Sequence, residues 1–311
     1  MKRNTLTLGT RSSRLALCQA EQVAALLRLK CPGLSVNIRK VITQGDRENS
    51  QPLQNFKGVG VFVKELEKEL LDGSIDAAVH SLKDMPTDLH ESLVVASVPI
   101  REEWRDALVS ASGLSLAELP LGGRIASGSP RRKAQILAAR PDLKIEHIRG
   151  NVETRISKMR GQGMDGIVLS YAGLLRLGLQ DQVTEVLDPA VVMPAPGQGA
   201  VAVEACRDDD TSLQVLRSVH DECLGQAVTA ERELLRLLGG GCHVPIGALA
   251  QFIEGDLLKL EAVVCSTDGK RIIRAEATGE PANPKGIASV VSDDLLARGT
   301  LELIGHPGAS E

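Results

Sequence analysis

Short apolar or β-branched runs alternate with amphipathic helical stretches along most of the chain, and this alternation is the feature that most limits the possible folds. Residues 5–10 are typical of a strand, residues 14–30 of a helix and residues 35–43 of a second strand. Strands that alternate with helices in this way are typical of α/β architecture. At 311 residues the chain is long enough for two or three such domains.

The pattern predicts further elements in the same order. The further strands expected before residue 206 are 75–80, 93–99, 123–127, 144–148 and 165–170. The expected helices are 62–73, 131–140, 154–163 and one around 174–178. Residues 192–205 are expected to form a Pro/Gly-rich crossing that leads into a strand. From about Asp221 the expected order changes to a helix at 224–238, strands at 245–253, 257–265 and 271–277, and a terminal helix.

These elements predict two α/β domains with a cleft between them and a smaller α+β domain at the C-terminus. The crossing at 192–200 is expected to return the chain to the first domain. The expected boundaries are 1–99 plus 200–217 for the first domain, 105–193 for the second and 222–311 for the third.

Composition excludes several function classes. The N-terminus carries no continuous apolar stretch, so we expect neither a signal peptide nor a membrane span and a cytoplasmic location. Aromatic residues make up 2% of the chain, which argues against the stacking platforms of single-stranded nucleic-acid binders. The cysteines at 18, 31, 206, 223, 242 and 265 form no C-x-x-C pair and the histidines are dispersed, so free thiols and no metal site are expected.

Positive charge is concentrated in one segment of an acidic protein. Residues 124–160 contain ten Lys or Arg against three Asp or Glu, although the whole chain has a net charge of −4. A local cationic region on an acidic protein favours a small anionic ligand over general polyanion affinity.

Three predicted strand-to-helix turns are small and polar and carry cations or hydroxyls. They are residues 9–13 with Arg11 and Ser13, residues 127–132, and residues 149–151. Ligands of open α/β sheets bind beyond the carboxyl ends of the strands, where helix N-termini offer unpaired N–H groups. Ser129 and Asn151 are candidate N-caps. Each turn taken alone could be an ordinary cap with a solvated arginine, but three together favour an anion site.

Two other segments can carry chemistry. In residues 79–86, Lys83 and Asp84 follow a predicted strand, and a carboxylate beside a cation stays ionised and can stabilise a developing positive charge. In residues 239–247, three glycines precede Cys242, whose thiol His243 could activate. A surface ion pair and an inert loop cysteine remain the alternatives. No convincing dinucleotide fingerprint, Walker loop, H-E-x-x-H or G-x-S-x-G motif is present.

The chain resembles the hydroxymethylbilane synthase (porphobilinogen deaminase) family over nearly its whole length. The resemblance is carried, in order, by the segments GTRSSRLALCQA (9–20), GVFVKELE (60–67), HSLKDMP (80–86), SGSPRRKAQ (127–135), RGNVETR (149–155), AGLLRLG (172–178), PAPGQGAVAVE (194–204) and GGGCHVPIG (239–247). An ordered set of this kind is far more specific than any one of its motifs.

The resemblance implies an enzyme that joins four porphobilinogen units head to tail with loss of ammonia and then releases the linear tetrapyrrole hydroxymethylbilane by hydrolysis. The chain grows on a dipyrromethane cofactor, which the resemblance attaches through a thioether to Cys242. Asp84 matches the catalytic carboxylate, which stabilises the cation formed as ammonia leaves and helps to move protons. The fold implied is two type II periplasmic-binding-protein-like α/β domains plus the third domain, in a monomer that binds neither nucleic acid nor membrane.

The implied binding residues suit a ligand rich in carboxylates, because every porphobilinogen unit carries an acetate and a propionate. The cofactor- and substrate-binding positions are Arg11, Ser13, Gln19, Lys83, Ser127, Ser129, Arg131, Arg132, Arg149, Arg155 and Arg176. The chain departs from the family pattern at Ser127, Pro130 and Gln44, and at Asn55 and Val59 in the candidate lid loop 51–62, whose contacts are therefore left open.

Three alternative hypotheses about the function remain open. A two-lobed binding protein without activity would take a small dicarboxylate, an acyl-transfer enzyme would use Cys242 and His243, and a nucleic-acid binder would use residues 124–160. The third domain with its glycine-flanked cysteine argues against the first hypothesis. Absence of both a covalent adduct at Cys242 and any turnover would favour the binding protein. Turnover of an ester or amide that thiol reagents abolish would favour the acyl transferase. A steep salt dependence of binding would favour the nucleic-acid binder.

Overall fold

The computed structural model describes residues 4–42, 63–239 and 244–304. The chain forms two compact units, one of residues 1–102 and 199–225 and the other of residues 103–198 and 226–311. The finer division into three domains at the boundaries given above stays a prediction.

The described elements follow the predicted order closely. The strands are β1 (Thr5–Arg11), β2 (Ser35–Val41), β3 (Ala77–Ser81), β4 (Leu93–Arg101), β5 (Asp106–Ser110), β6 (Arg124–Ala126), β7 (Lys144–Glu146), β8 (Gly166–Ser170), β9 (Glu185–Val186), β10 (Ala200–Cys206), β11 (Ile246–Ile253), β12 (Leu257–Cys265) and β13 (Ile272–Gly279). The helices are α1 (Arg14–Lys30), α2 (Lys64–Leu71), α3 (Pro130–Ala139), α4 (Val152–Gly161), α5 (Tyr171–Arg176), α6 (Asp210–Arg217), α7 (Glu222–Leu237), α8 (Pro284–Ala297) and α9 (Thr300–Ile304). The sequence pattern did not indicate β5, β9 or α6.

The first unit contains a five-stranded sheet in the order β2-β1-β3-β10-β4. Strand β1 runs parallel to β2 and β3, whereas β10 runs antiparallel to β3 and β4. The apolar face of α1 packs on this sheet, because Val23 and Leu27 are fully buried against Leu6 and Leu8 of β1. As predicted, the crossing before residue 200 leads into a strand of the first sheet.

The second unit contains a five-stranded sheet in the order β7-β6-β8-β5-β9. Strand β6 runs parallel to β7 and β8, and β5 runs antiparallel to β8 and β9. The strand order and directions therefore repeat those of the first sheet, and the predicted α/β fold class is confirmed.

The C-terminal part of the second unit is an antiparallel sheet, β11-β12-β13. Helices α7 and α8 cover one face, burying Ala230 and Leu234 from α7 and Val291 and Leu295 from α8. This is the α+β arrangement that the sequence predicts.

The same small sheet also packs against α3 of its own unit. Ala134 of α3 lies in one apolar cluster with Leu249 of β11 and with Val263 and Cys265 of β12. Met193 also belongs to this cluster; it lies in residues 192–198, the part of the crossing that belongs to the second unit and is called the 192–198 crossing below. Ala248 donates its backbone N–H to the carbonyl oxygen of Pro194 at 2.9 Å. The C-terminal sheet is thus held directly on the helix that carries Arg131 and Arg132.

Among the described residues, the helices are all too short or too polar to cross a membrane.

Candidate active site

In the first unit, β1 and β3 are parallel neighbours, so their carboxyl ends lie at the same edge of the sheet. Arg11 is the last residue of β1, and Ser13 caps α1 by accepting the backbone N–H of Ala16 at 3.3 Å. The buried Gln19 donates from Nε2 to the hydroxyl of Ser81 at 2.9 Å. That contact joins the beginning of α1 to the end of β3.

Asp84 lies at the end of a short 3₁₀ turn, Leu82–Asp84, directly after β3. The flanking Leu82 and Met85 are buried and anchor the turn, whereas the side chain of Asp84 is exposed and that of Lys83 is partly buried. The Asp84 carboxylate has no hydrogen bond or ion pair with another described residue. It is therefore a rigidly placed acceptor that a ligand can reach.

Behind this turn lies a buried pair that sequence reasoning did not identify. His80 Nε2 is 3.0 Å from Oε2 of Glu204 on β10, and both side chains are almost fully buried. Within the described part of the chain, Oε1 of Glu204 has no hydrogen-bond partner. A glutamate in the middle of the apolar run 200–205 is the sequence signal that could have indicated a buried polar pair.

In the second unit, the parallel neighbours β6 and β7 bring two of the three predicted turns, residues 127–132 and 149–151, to one edge of the sheet. Ser127 follows β6 and donates its backbone N–H to the carbonyl oxygen of Glu146 on β7 at 2.8 Å. Ser129 caps α3 by accepting the N–H of Arg132 at 3.4 Å, with Pro130 in the first turn. Asn151 caps α4, so both predicted N-caps are confirmed.

The edge beyond β7 is cationic. Arg155 donates from Nε to the carbonyl oxygen of Gly150 at 2.6 Å, which draws its side chain back over the turn that contains Arg149. The pKa of the nearby His147 is lowered by burial and by the positive charges of Arg149 and Arg155. Arg176 is partly buried at the end of α5, the helix that follows β8.

Arg131 and Arg132 are buried, and much of their donor capacity is engaged by Asp106, the first residue of β5. Arg131 Nη1 donates to Oδ2 of Asp106 at 2.8 Å, and Arg132 donates to Oδ1 from Nε at 3.1 Å and from Nη2 at 2.7 Å. Burial raises the pKa of Asp106, but the two guanidinium groups outweigh it and bring the pKa well below its usual range. The sequence pattern did not single out Asp106, although it is a hydrogen-bond partner of two predicted binding residues.

The 192–198 crossing adds further buried contacts. Gln198 Nε2 donates to Oδ1 of Asp106 at 2.9 Å, and Arg131 Nη1 donates to the carbonyl oxygen of Met193 at 2.5 Å. Glu231 of α7 accepts the N–H of Gly197 at 2.6 Å and that of Ala250 at 2.8 Å. Glu231 therefore ties the crossing to β11 of the C-terminal sheet.

Several predicted residues lie outside the described ranges. They include Cys242 and His243, which fall in the stretch between α7 and β11, and the candidate lid loop 51–62 with Gln44 before it. Within the described ranges, His, Cys, Asp and Glu side chains form no cluster that could hold a metal ion. The structure thus places the predicted binding residues in two separate units, some in the turns after strands and others, such as Gln19, Arg155 and Arg176, on the helices that follow, and their roles stay predictions.

Comparison with known proteins assigns the family. Residues 6–214 match the family model "Porphobilinogen deaminase, dipyromethane cofactor binding domain", and residues 226–297 match "Porphobilinogen deaminase, C-terminal domain". The porphobilinogen deaminase of Roseiflexus castenholzii is 43% identical over 97% of this chain and 99% of its own length. That of Syntrophotalea carbinolica is 46% identical over 96% of this chain and 95% of its own length.

Among solved structures, the VFT2 domain of Bordetella pertussis BvgS has a TM-score of 0.41 and 15% identity over 70% of this chain and 86% of that chain. A similarity at that level carries no weight for fold or function. The two family models and the full-length relatives are decisive: the chain belongs to the porphobilinogen deaminase family.

Proposed function

We propose that this protein is a hydroxymethylbilane synthase, which condenses four porphobilinogen units head to tail with release of ammonia and hydrolyses the product to a linear tetrapyrrole. The observation that carries the proposal is the match of two porphobilinogen deaminase family models across residues 6–214 and 226–297. In each condensation the C–N bond of the aminomethyl group breaks, a C–C bond forms to a pyrrole carbon, and that carbon loses its proton.

The residues of the second unit fit a dipyrromethane cofactor and its extensions. Such a ligand is dense in acetate and propionate carboxylates. The segments that follow β6 and β7 carry the buried Arg131–Arg132 pair, Arg149 and Arg155, and Arg176 ends the helix that follows β8. Guanidinium groups stay charged at every working pH and bind carboxylates in a two-pronged geometry. When bound, the cofactor supplies the free pyrrole carbon to which the first substrate unit is joined.

Asp84 is the proposed catalytic carboxylate. Its side chain is exposed and without a partner among the described residues, so both oxygens are available to accept pyrrole N–H groups. An anion there stabilises the positive charge that the substrate acquires as ammonia leaves, and it can accept the proton that the attacked carbon releases. The buried Leu82 and Met85 restrict how far this turn can move.

Cys242 is the proposed attachment point, through a thioether to the cofactor. It is one of six cysteines, of which Cys223 on α7 is exposed and Cys265 is buried. We also propose that the protein acts as a monomer in the cytoplasm, a location that suits cysteines without any C-x-x-C pair.

Intact mass measured before and after incubation with porphobilinogen tests attachment and reaction together. The purified protein is expected to exceed its sequence mass by two linked pyrrole units and to gain further units stepwise with substrate. Cys242→Ser is expected to lose the adduct, and Cys223→Ser, which removes an exposed thiol, is expected to keep it. A mass that stays at the sequence value and never responds to substrate would contradict the proposed function.

The role of Asp84 is tested separately in protein that already carries the cofactor. Asp84→Asn is expected to retain the adduct and the fold while its turnover nearly disappears. Asp88→Asn, which changes an exposed aspartate shortly after the same turn, is the matched control and is expected to turn over normally. Normal turnover by Asp84→Asn would exclude the assigned role.

The role of the cationic edge is visible in the length of the bound chain. Arg149→Leu or Arg155→Leu is expected to weaken substrate binding or elongation, so that stalled intermediates accumulate in the mass spectrum. Arg160→Leu, at an exposed position on α4, is the control and is expected to leave the distribution of intermediates unchanged.

A further inference from the structure

Asp106 is fully buried, and four N–H groups from three side chains converge on its carboxylate. Oδ2 accepts from Arg131 Nη1, and Oδ1 accepts from Arg132 Nε, Arg132 Nη2 and Gln198 Nε2, at distances between 2.7 and 3.1 Å. The carboxylate is part of β5, whereas the arginines begin α3 and Gln198 ends the crossing. Three separate segments are therefore joined at one anion.

The contacts leave a defined set of donors unused. Arg131 engages only Nη1, which is shared between Asp106 and the carbonyl oxygen of Met193. Arg132 engages Nε and Nη2, both with Asp106. Within the described ranges, Nε and Nη2 of Arg131 and Nη1 of Arg132 have no partner, and the two side chains keep 5% and 8% of their surface exposed. A small anion can therefore still reach them.

The charges of the cluster also leave room for an anion. Two guanidinium groups and one carboxylate give a net charge of +1, and burial makes an uncompensated charge costly. One further carboxylate would neutralise the cluster. Without Asp106, the positive guanidinium groups of Arg131 and Arg132 would repel each other. Because both side chains have several rotatable bonds, the two groups would move apart.

We propose that Asp106 is a positioning residue, which holds the guanidinium groups of Arg131 and Arg132 in a fixed arrangement so that together they bind a single carboxylate of the pyrrole chain. The inference rests on the proposed function, because the carboxylate is that of an acetate or propionate substituent. Asp106 acts only through the two arginines. Arg132 depends on it most, since Asp106 is the partner of every hydrogen bond that its side chain makes in the described part of the chain.

A double-mutant cycle separates positioning from mere stabilisation of the fold. Asp106→Asn, Arg132→Gln and the combined variant are compared with wild type for the rate at which purified protein acquires the two-pyrrole adduct, and for kcat and KM of the loaded fraction. A displacement of about 1 Å in a binding group costs about 100-fold in rate, so each single variant is expected to lose about that factor. The combined variant is expected to be no slower than the slower single variant, because Asp106 acts through Arg132. Losses that multiply would overturn the inference.

Two further variants keep the result interpretable. Arg132→Lys retains the positive charge that balances Asp106 but cannot donate two N–H bonds in a planar fork, so it is expected to lose loading and still fold. Wild-type loading by Arg132→Lys would overturn the proposal even if Asp106→Asn failed to fold. Asp142→Asn removes another Arg–Asp pair at the end of α3, where Arg140 donates to Asp142 at 2.8 Å, and it is expected to melt lower but load normally. If wild-type protein itself never acquires pyrroles, the proposed function fails, and this inference fails with it.

Discussion

Replacing Gly269 with alanine tests how the C-terminal sheet is held on α3. Gly269 lies in the turn between β12 and β13 with φ of +75°, and a Cβ there would overlap the carbonyl oxygen of Ala134 and lie 2.9 Å from the amide nitrogen of Ala138. Gly255 lies in the turn between β11 and β12 with φ of +81°, and a Cβ there would meet nothing within 4 Å. The two glycines therefore share a backbone conformation and differ in their contact with the helix.

The expected magnitudes follow from that difference. An alanine with positive φ costs about 1–2 kcal/mol, and both variants incur this cost. At Gly269 the obstructing atoms belong to the α3 backbone, so no side-chain rotation relieves the overlap and the turn or the helix has to shift. Forced shifts of this kind cost a further ~1–3 kcal/mol. Gly255→Ala is thus expected to lose about 1.5 kcal/mol and Gly269→Ala about 3 kcal/mol of unfolding free energy.

Urea denaturation of the two variants and wild type measures these values, and hydrogen exchange of peptides from α3 locates the effect. Gly269→Ala is expected to accelerate exchange in α3, whereas Gly255→Ala is expected to leave it unchanged. Equal destabilisation by both substitutions, with unchanged exchange in α3, would refute the packing of the turn on the helix.

Three other outcomes are expected. Glu231 accepts two buried backbone N–H groups, so Glu231→Gln should lower the unfolding free energy by about 2 kcal/mol in urea titrations. Glu233→Gln, which breaks a more exposed ion pair on the same helix, should lower it by less than ~1 kcal/mol. Because burial raises the pKa of Cys265 to about 11, only about 0.1% of it is thiolate at pH 8, and peptide mapping after iodoacetamide treatment should find it unmodified while the exposed Cys223 is alkylated. The folded-state pKa of Asp106 lies below its usual value, so the ionised carboxylate stabilises the fold fully above about pH 4, and this stabilisation is lost as the pH falls towards the folded-state pKa. The difference in unfolding free energy between wild type and Asp106→Asn should therefore narrow by about 1 kcal/mol between pH 5 and pH 3. A difference that stays constant over this range would contradict an ionised Asp106.

Much of the fold could be predicted from local pattern. Helix α1 spans residues 14–30 as predicted, and Ser129 and Asn151 cap α3 and α4 as predicted, because a cap depends on the residue type and on backbone groups a few positions away. The strand β5 was missed because Asp106 begins it directly after the charged run 101–105, which hides its apolar pattern. The two-residue strand β9 is too short to show any period.

Some features of the candidate site could likewise be predicted from the sequence and others could not. Its cations and hydroxyls could be placed at strand ends from sequence, because the carboxyl ends of parallel strands gather at one edge of a sheet. The hydrogen-bond partners of the buried polar groups could not be predicted from the sequence. Asp106 meets Arg132, His80 meets Glu204, and Glu231 meets Gly197, and the two members of each pair are far apart along the chain.

The amino-acid pattern alone predicted the alternation of strands and helices, the caps, the family and the residue types that suit a carboxylate-rich ligand. It did so because side-chain periods of 2 and 3.6 and capping preferences act over a few residues. The packing of distant segments determines which of the cations are held by a buried carboxylate and which helix supports the C-terminal sheet. A periodic pattern indicates that one face of an element is buried, but the residues that cover this face depend on how distant segments pack.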